Sequence, residues 1–425
     1  MAKTRSARID PKLFPVHEHA LKNGLRIRLM PSHAVPTVSC YTFYRVGSRN
    51  ERPGITGIAH LFEHMMFNGA AKYGPKAFDR VLESHGGYSN AYTSNDVTAY
   101  YEDFTSSALE KVIDLESDRM RSLAITPETL KQEREVVKEE RRLRTDNDIM
   151  GMLDEQLGAT VYLAHPYRWP VIGWMGDIEG ITREDCLAFF RTYYAPGNAT
   201  LYLCGDFQPR AALALIERYY GDIPAGPAVP EVPSYEPPQK GERRAVVRYP
   251  AQAQALATGY RAPRARDPLT PVIDVLQYAL SAGEGGLLTQ RLVYRDQLAV
   301  NVMADFSWRI DDGAFSIYAE LHPGVSAAKA EAAIAQVLAQ VADKGLSAAD
   351  LQRGKNLLRA RALRELGTHN GRAHAYADAE MFLGGWRQAL EVLERYQAVT
   401  GAQVRAAAGA LFQAAHRNTV TLIPS

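Results

Sequence analysis

Apolar and polar positions alternate with a period of two in several short stretches, which predicts strands, and these stretches come in matching pairs. Leu25-Arg-Ile-Arg-Leu-Met opens one half of the chain and Ala245-Val-Val-Arg-Tyr opens the other. Asn198-Ala-Thr-Leu-Tyr-Leu follows a helical pattern ending in Phe189-Phe190-Arg191, and Asn418-Thr-Val-Thr-Leu-Ile follows one ending in Leu411-Phe412. The two asparagines lie 220 positions apart in a chain of 425, which predicts an internal duplication. Between the halves, residues 221–244 hold six of the chain's 23 prolines and read as a semi-extended linker. The pattern predicts an α+β fold of two like domains, 1–220 and 245–425. Each is expected to be an antiparallel-rich sheet with helices gathered on one face.

Two helical segments carry polar groups where the pattern calls for apolar ones. In the first, His60-Leu-Phe-Glu63-His64 is flanked by Ile58, Ala59, Met65, Met66 and Phe67, so the helix is apolar nearly all round and predicted to be buried. Thr56 is placed to cap it and Gly69 to end it. Positions i and i+4 lie one turn apart on the same side, so His60 and His64 can offer two imidazoles to one cation. Glu63 lies to the side, within reach of a water activated by that cation, a geometry suited to metal-assisted hydrolysis.

The second segment is 127–144, with Thr126 as cap and Pro127 in the first turn. At about 100° per residue, Leu130, Val136, Val137 and Leu143 define an apolar face. Glu133 and Glu140 fall in its middle, and Glu135 and Glu139 point the opposite way. A carboxylate on a buried face is paired or metal-bound. Arg119, Arg121 and Arg134 are the partners at hand; the alternative is Glu140 as third metal ligand and Glu133, two turns earlier, orienting a ligating histidine. The exposed pair His17 and His19 reads as solvated, and His85, His165 and His322 are singles.

Composition narrows the partners. Lys+Arg 49 against Asp+Glu 48 leaves a net charge of +1, which argues against a nucleic acid. No apolar run is long enough to span a bilayer. The first residues show no secretory signal pattern. Cys40, Cys186 and Cys204 are too few and too dispersed for a disulfide framework or a thiolate metal site, and read as buried thiols.

Taken together, these residues resemble the pitrilysin-like zinc peptidases, the inverzincins, whose His-x-x-Glu-His reverses the zincin order; bacterial relatives of the mitochondrial processing peptidase belong here. Phe67-Asn68-Gly69, Gly86-Gly-Tyr-Ser-Asn-Ala-Tyr-Thr93 and Gly205-Asp206-Phe207 also match recurrent patterns of that family. The resemblance implies two like domains arranged as a half-clam and one Zn²⁺ per chain. It implies His60, His64 and Glu140 as ligands (Glu140 stands 76 positions beyond His64), Glu63 as general base and Glu133 as a supporting carboxylate. It further implies a peptide substrate held near Phe67 and along a sheet edge at Asn90, Ala91, Tyr92 and Thr93, where main-chain pairing needs no particular sequence.

The family usually keeps an Arg and a Tyr in the second half to stabilise the tetrahedral oxyanion. In this chain the tyrosine's place falls on Val300, and the arginine's register lies between Arg291 and Arg295. The resemblance therefore implies the zinc-bearing member of a pair, with a homologous subunit supplying the Arg/Tyr pair, or else a homodimer. Relatives without organelle signals imply the periplasm, given a removed signal peptide, with the cytoplasm as alternative. Two other readings are a non-catalytic assembly subunit of the same fold and a small-molecule lyase using the same motif. The intact ligand set counts against the first, and the lack of a matching cysteine ligand against the second.

Overall fold

The computed structural model describes residues 11–233 and 235–425. The first half runs β1 (His17–Ala20), β2 (Arg26–Pro31), β3 (Thr37–Tyr44), α1 (Ile58–Met65), α2 (Ala77–Ser84), β4 (Tyr88–Thr93) and β5 (Thr98–Thr105). It continues with α3 (Leu109–Ser122), α4 (Pro127–Arg141), α5 (Ile149–Val161), α6 (Met175–Gly180), α7 (Arg183–Tyr193), β6 (Ala199–Gly205) and α8 (Pro209–Tyr220). The second half holds β7 (Arg243–Tyr249), β8 (Ala255–Ala262), α9 (Thr270–Ser281), β9 (Ala299–Phe306) and β10 (Gly313–Leu321). Then come α10 (Ala327–Lys344), α11 (Ala348–Leu366), α12 (His369–Asp378), α13 (Gln388–Ala398), α14 (Gly401–Leu411) and β11 (Asn418–Pro424).

The strands form two sheets, ordered β1-β2-β6-β3-β5-β4 and β7-β11-β8-β10-β9. Apart from β1 the second order repeats the first, and the pairs β2–β6 and β7–β11 are the two parallel ones. Asn198 and Asn418, the residues that signalled the repeat, do the same work in each sheet. Both are buried, and their side-chain amides donate to the backbone carbonyl of the neighbouring strand or its end, Asn198 to Arg45 just past β3 and Asn418 to Gly259 in β8.

The expectation of helices on one face only is corrected. Each sheet is covered on its second face by a helix from the other half. Leu153, Leu157 and Val161 of α5 pack on Ala255, Ala257, Val420 and Leu422 of the second sheet. Ala373, Tyr376 and Ala377 of α12 pack on Tyr41, Phe43, Tyr202 and Cys204 of the first. The outer faces carry their own helices, α1, α3, α4, α7 and α8 on one sheet and α9, α10, α11 and α14 on the other. A strand buried on both faces loses its alternation, and all seven residues of β6 are buried.

Polar contacts reinforce the exchange. Arg28 donates from Nε and Nη2 to the two oxygens of Glu380 at 2.8 and 2.6 Å. Arg49 reaches Asp311 at 2.6 Å, and Tyr318 donates to Asp154 at 2.6 Å. The proline-rich segment is itself pinned, because Glu236 accepts from the backbone N–H groups of Leu163, Ala164 and His165. All three cysteines are buried free thiols. Among the described residues no helix is long and apolar enough to cross a membrane.

Candidate metal centre

α1 is seated from outside its own sequence. Thr56 does not cap it; the N-cap is Gly57 in the left-handed region, φ +89°. A Cβ there would lie 2.4 Å from the carbonyl oxygen of Ile172, so only glycine fits. Glu51 supplies the missing acceptor, its carboxylate receiving the N–H groups of Gly57 and Ala59 at 2.9 Å each. Thr56 is instead buried and donates to Asp177 at 2.7 Å; Asp177 also accepts from the N–H groups of Gly54 and Thr56. The helix ends at Met65, before Gly69. Ile58, Ala59, Leu61, Phe62 and Met65 are buried, as the apolar pattern requires.

α4 begins as expected, with the Thr126 hydroxyl accepting from Thr129 N–H and Pro127 in the first turn. Its buried face differs from the expected one. Leu130, Glu133, Val137 and Arg141 are buried, whereas Val136 is 44% exposed and Leu143 72%. Glu133 thus lies within the buried face and Glu140 at its rim. Neither meets Arg119, Arg121 or Arg134, which are engaged by Glu102 and Glu116, by Asp222, and by the carbonyl of Ile181.

The two helices bring His60, His64 and Glu140 together, with one ligand atom of each within 4.8 Å of the others. Glu140 Oε2 lies 3.1 Å from His64 Nε2 and 3.6 Å from His60 Nε2, and the imidazole centroids are 4.9 Å apart. The three side chains are 12, 22 and 17% exposed for His60, His64 and Glu140, sheltered yet reachable. Glu133 Oε2 sits 3.5 Å from His64 Nδ1. It favours the tautomer that keeps Nε2 free as a ligand. Arg144, in the π-helical turn after α4, holds the other oxygen of Glu140 at 3.0 Å.

The groups of the cluster shift one another strongly. Burial, with His64 beside it, pulls His60 down to about 4. Burial also depresses His64, but hydrogen bonds to Glu133 and Glu140 outweigh it and lift the ring to about 9. Glu133 and Glu140 both fall below the usual carboxylate range, chiefly through His64. His60 Nδ1 is buried without a partner. Two imidazoles and one carboxylate converging at partly exposed positions is a donor set that fits zinc. Glu63, raised by burial against the pull of the neighbouring Thr93 hydroxyl, stands beside this cluster.

The other expected residues are placed as follows. β4, with Asn90, Ala91, Tyr92 and Thr93, is the edge strand of its sheet and pairs only with β5. Ala91 packs toward the core under α1, whereas Tyr92 points to the opposite face and meets His374 Nε2 at 3.0 Å. The Tyr92 ring is therefore part of the contact between halves, and only its backbone remains for an incoming strand. Phe67 packs edge-on to Phe78. Arg291 is held by Asp296 at 2.5 Å and Gln336 at 3.0 Å, and Arg295 is exposed. No contact among the described residues joins either arginine to the cluster of His60, His64 and Glu140. Val300, 57% exposed, lies at a bulge in the edge strand β9. His165 is buried beside Asp311, at 3.2 Å.

Sequence reasoning missed Glu51, Asp177 and Arg144. Only Arg144 left a local signal, its i+4 spacing from Glu140.

Comparison with known proteins gives the family. Residues 27–173 match the family model described as insulinase (peptidase family M16), and residues 180–358 match the peptidase M16 inactive domain. The zinc protease PqqE of Helicobacter pylori is 32% identical over 370 residues, covering 86% of this chain and 83% of that protein. The crystal structure of a protease from Helicobacter pylori superposes with a TM-score of 0.94 at 29% identity, covering 97% of this chain and all of that one. The periplasmic protease PqqL of Escherichia coli shares the fold, with a TM-score of 0.75 at 20% identity over 96% of this chain, but only 47% of its own length is matched. The chain belongs to the insulinase family of peptidases, family M16.

Proposed function

We propose that the chain is a zinc-dependent endopeptidase subunit. The observation that carries this reading is the convergence of His60, His64 and Glu140 beside Glu63, next to the free edge of β4. His60, His64 and Glu140 would hold one Zn²⁺, with Glu133 fixing the His64 ring. Bound there, zinc would supply Lewis acidity toward a water and a peptide carbonyl. Glu63 takes the proton from the attacking water and delivers it to the leaving amine. The backbone of Asn90–Thr93 pairs with an extended peptide and lays its scissile bond across the cluster. Phe67 supports this arrangement from the end of α1.

The missing tyrosine at Val300, and the engagement of Arg291 away from the cluster, support a division of labour. A second, homologous subunit carrying the Arg/Tyr pair would complete the oxyanion site, or a second copy of this chain would close the cleft. The match to about half of PqqL is consistent with a working unit built from two such chains' worth of fold.

The test is Glu63→Gln. Zinc content by atomic absorption should stay at one per chain, while peptide cleavage falls by about a hundredfold or more. His64→Ala should lose the metal as well. Full cleavage by the Glu63→Gln protein, or by zinc-free protein, would overturn the assignment.

A further inference from the structure

The fold repeats, and so does the corner that holds the metal-ligand cluster. α9 lies against the edge strand β9 and the long helix α11, as α1 lies against β4 and α4. α1 carries His60, Glu63 and His64 at i, i+3 and i+4. α9 carries Asp274, Gln277 and Tyr278 at the same spacing, and all three line a cavity of about 420 Å³ between the halves. Its donors no longer suit a divalent metal. One carboxylate, one amide and one phenol face Arg361 of α11, which donates to the Tyr278 hydroxyl at 2.9 Å.

What remains is a chamber with aromatic walls, in which the carboxyl groups of Asp274, Asp305, Glu365 and Asp378 outnumber the guanidinium groups of Arg309 and Arg361. Asp274 is 5% exposed and receives two neutral donors, Tyr396 Oη at 2.9 Å and Trp308 Nε1 at 3.3 Å. No described Lys or Arg lies within ion-pair distance of it, and burial pushes its carboxyl up to about 7. Asp378 also lines the cavity, with the His374 imidazole 3.6 Å away. Arg361 is already neutralised by Glu365 at 2.8 Å. A buried carboxylate that lacks a cation, in a chamber of ligand size, is completed by a cation from outside. The rings of Tyr278, Trp308 and Tyr92 suit the apolar stem of such a ligand and add cation–π attraction.

We propose that this chamber is a metal-free binding site for an organic amine, with the ammonium on Asp274 and an apolar or aromatic stem among the rings. None of its residues belongs to the His60–His64–Glu140 cluster, and Tyr92, whose backbone lies in the proposed peptide-binding edge, contributes only its ring here. The Tyr92 hydroxyl on its wall is bonded to His374, so an occupant touches both halves at once.

The test is calorimetric titration of the full chain with 2-phenylethylamine, against 2-phenylethanol and phenylacetate as neutral and anionic probes. Saturable binding of the amine alone is expected. Asp274→Asn should weaken it at least about tenfold, as loss of a charged hydrogen bond requires. Ala362→Trp, which fills the cavity, should abolish it, and Glu63→Gln should bind as the parent does. Equal binding of amine and alcohol, unchanged binding by Asp274→Asn, or no binding of the amine would each overturn the proposal. The comparison of the three probes needs no variant, so a misfolded mutant would not shield the idea.

Discussion

Arg119 and Asp274 are both buried charges, and their surroundings resolve them differently. The Arg119 guanidinium meets Glu102 at 3.1 Å and Glu116 at 2.6 Å and lies 4.5 Å from the centroid of the Tyr100 ring. Removing one partner of such a group leaves the others uncompensated. Arg119→Met should therefore lower stability by about 3–5 kcal/mol in chemical denaturation. The triple variant with Glu102→Gln and Glu116→Gln should recover most of that loss, because it removes the stranded carboxylates too. Asp274 has no Lys or Arg within ion-pair distance among the described residues, and burial pushes its carboxyl up from an ordinary 3.8 to about 7 against the bonds from Tyr396 and Trp308 and the more distant pull of Arg361. Between about pH 4 and 7 the folded state keeps a proton that the unfolded state has released, so stability falls as pH rises across that window and is level above it. Asp274→Asn should erase this slope. Its melting temperature relative to the parent should be higher at pH 8 than at pH 5, with a ceiling of roughly 4 kcal/mol by linkage. A difference independent of pH would show that the carboxyl is not held neutral.

Among the elements, α1 is the one whose position decides whether the proposed metal site can form, and its seat is made by Glu51. Glu51→Ala would bury the N–H groups of Gly57 and Ala59 without partners, at about 1–3 kcal/mol. Zinc retention on dialysis should drop with it, because His60 lies in the first turn of that helix. Unchanged zinc retention would show that packing alone seats the helix. The contrast between α1 and α4 explains what was legible in the sequence. The start of α4 was readable because its signals are local, with Thr126 and Pro127 adjoining the helix they begin. The cap of α1 was assigned to Thr56 because its true acceptor, Glu51, comes from an extended segment. The group that claims Thr56, Asp177, lies 121 positions away. The cluster of His60, His64 and Glu140 was legible for a different reason. His60 and His64 share a face by helical spacing alone, and a glutamate amid apolar residues marks a buried carboxylate. That second inference reached Glu140 even though two of its supports, Val136 and Leu143, proved exposed. An apolar side chain on a surface costs little, so it is a weak guide to which face is buried.

On the scale of the whole molecule, the duplication was visible in paired strand patterns, but the exchange of α5 and α12 was not. The stripe Leu153, Leu157, Val161 announces that α5 buries one face, yet nothing in its periodicity says that the face belongs to the distant sheet. The exchange changes what the proline-rich segment does. A hinge between separate domains would let the halves part, whereas here parting would expose the apolar faces of α5 and α12 and strand Glu380 and Arg28, both largely buried. Apolar burial on that scale greatly exceeds what one connecting segment contributes to holding the halves together. A protease site inserted between Pro227 and Ala228, which are exposed, tests this directly. After cleavage the two fragments should co-elute in size-exclusion chromatography and unfold in one transition at nearly the parent's midpoint. Fragments that separate under native conditions would mean that the linker, not the exchanged helices, holds the halves. If they stay together, the proposed peptide cleft cannot open by parting the two halves of this chain, and the two-subunit reading proposed above gains its support from that result.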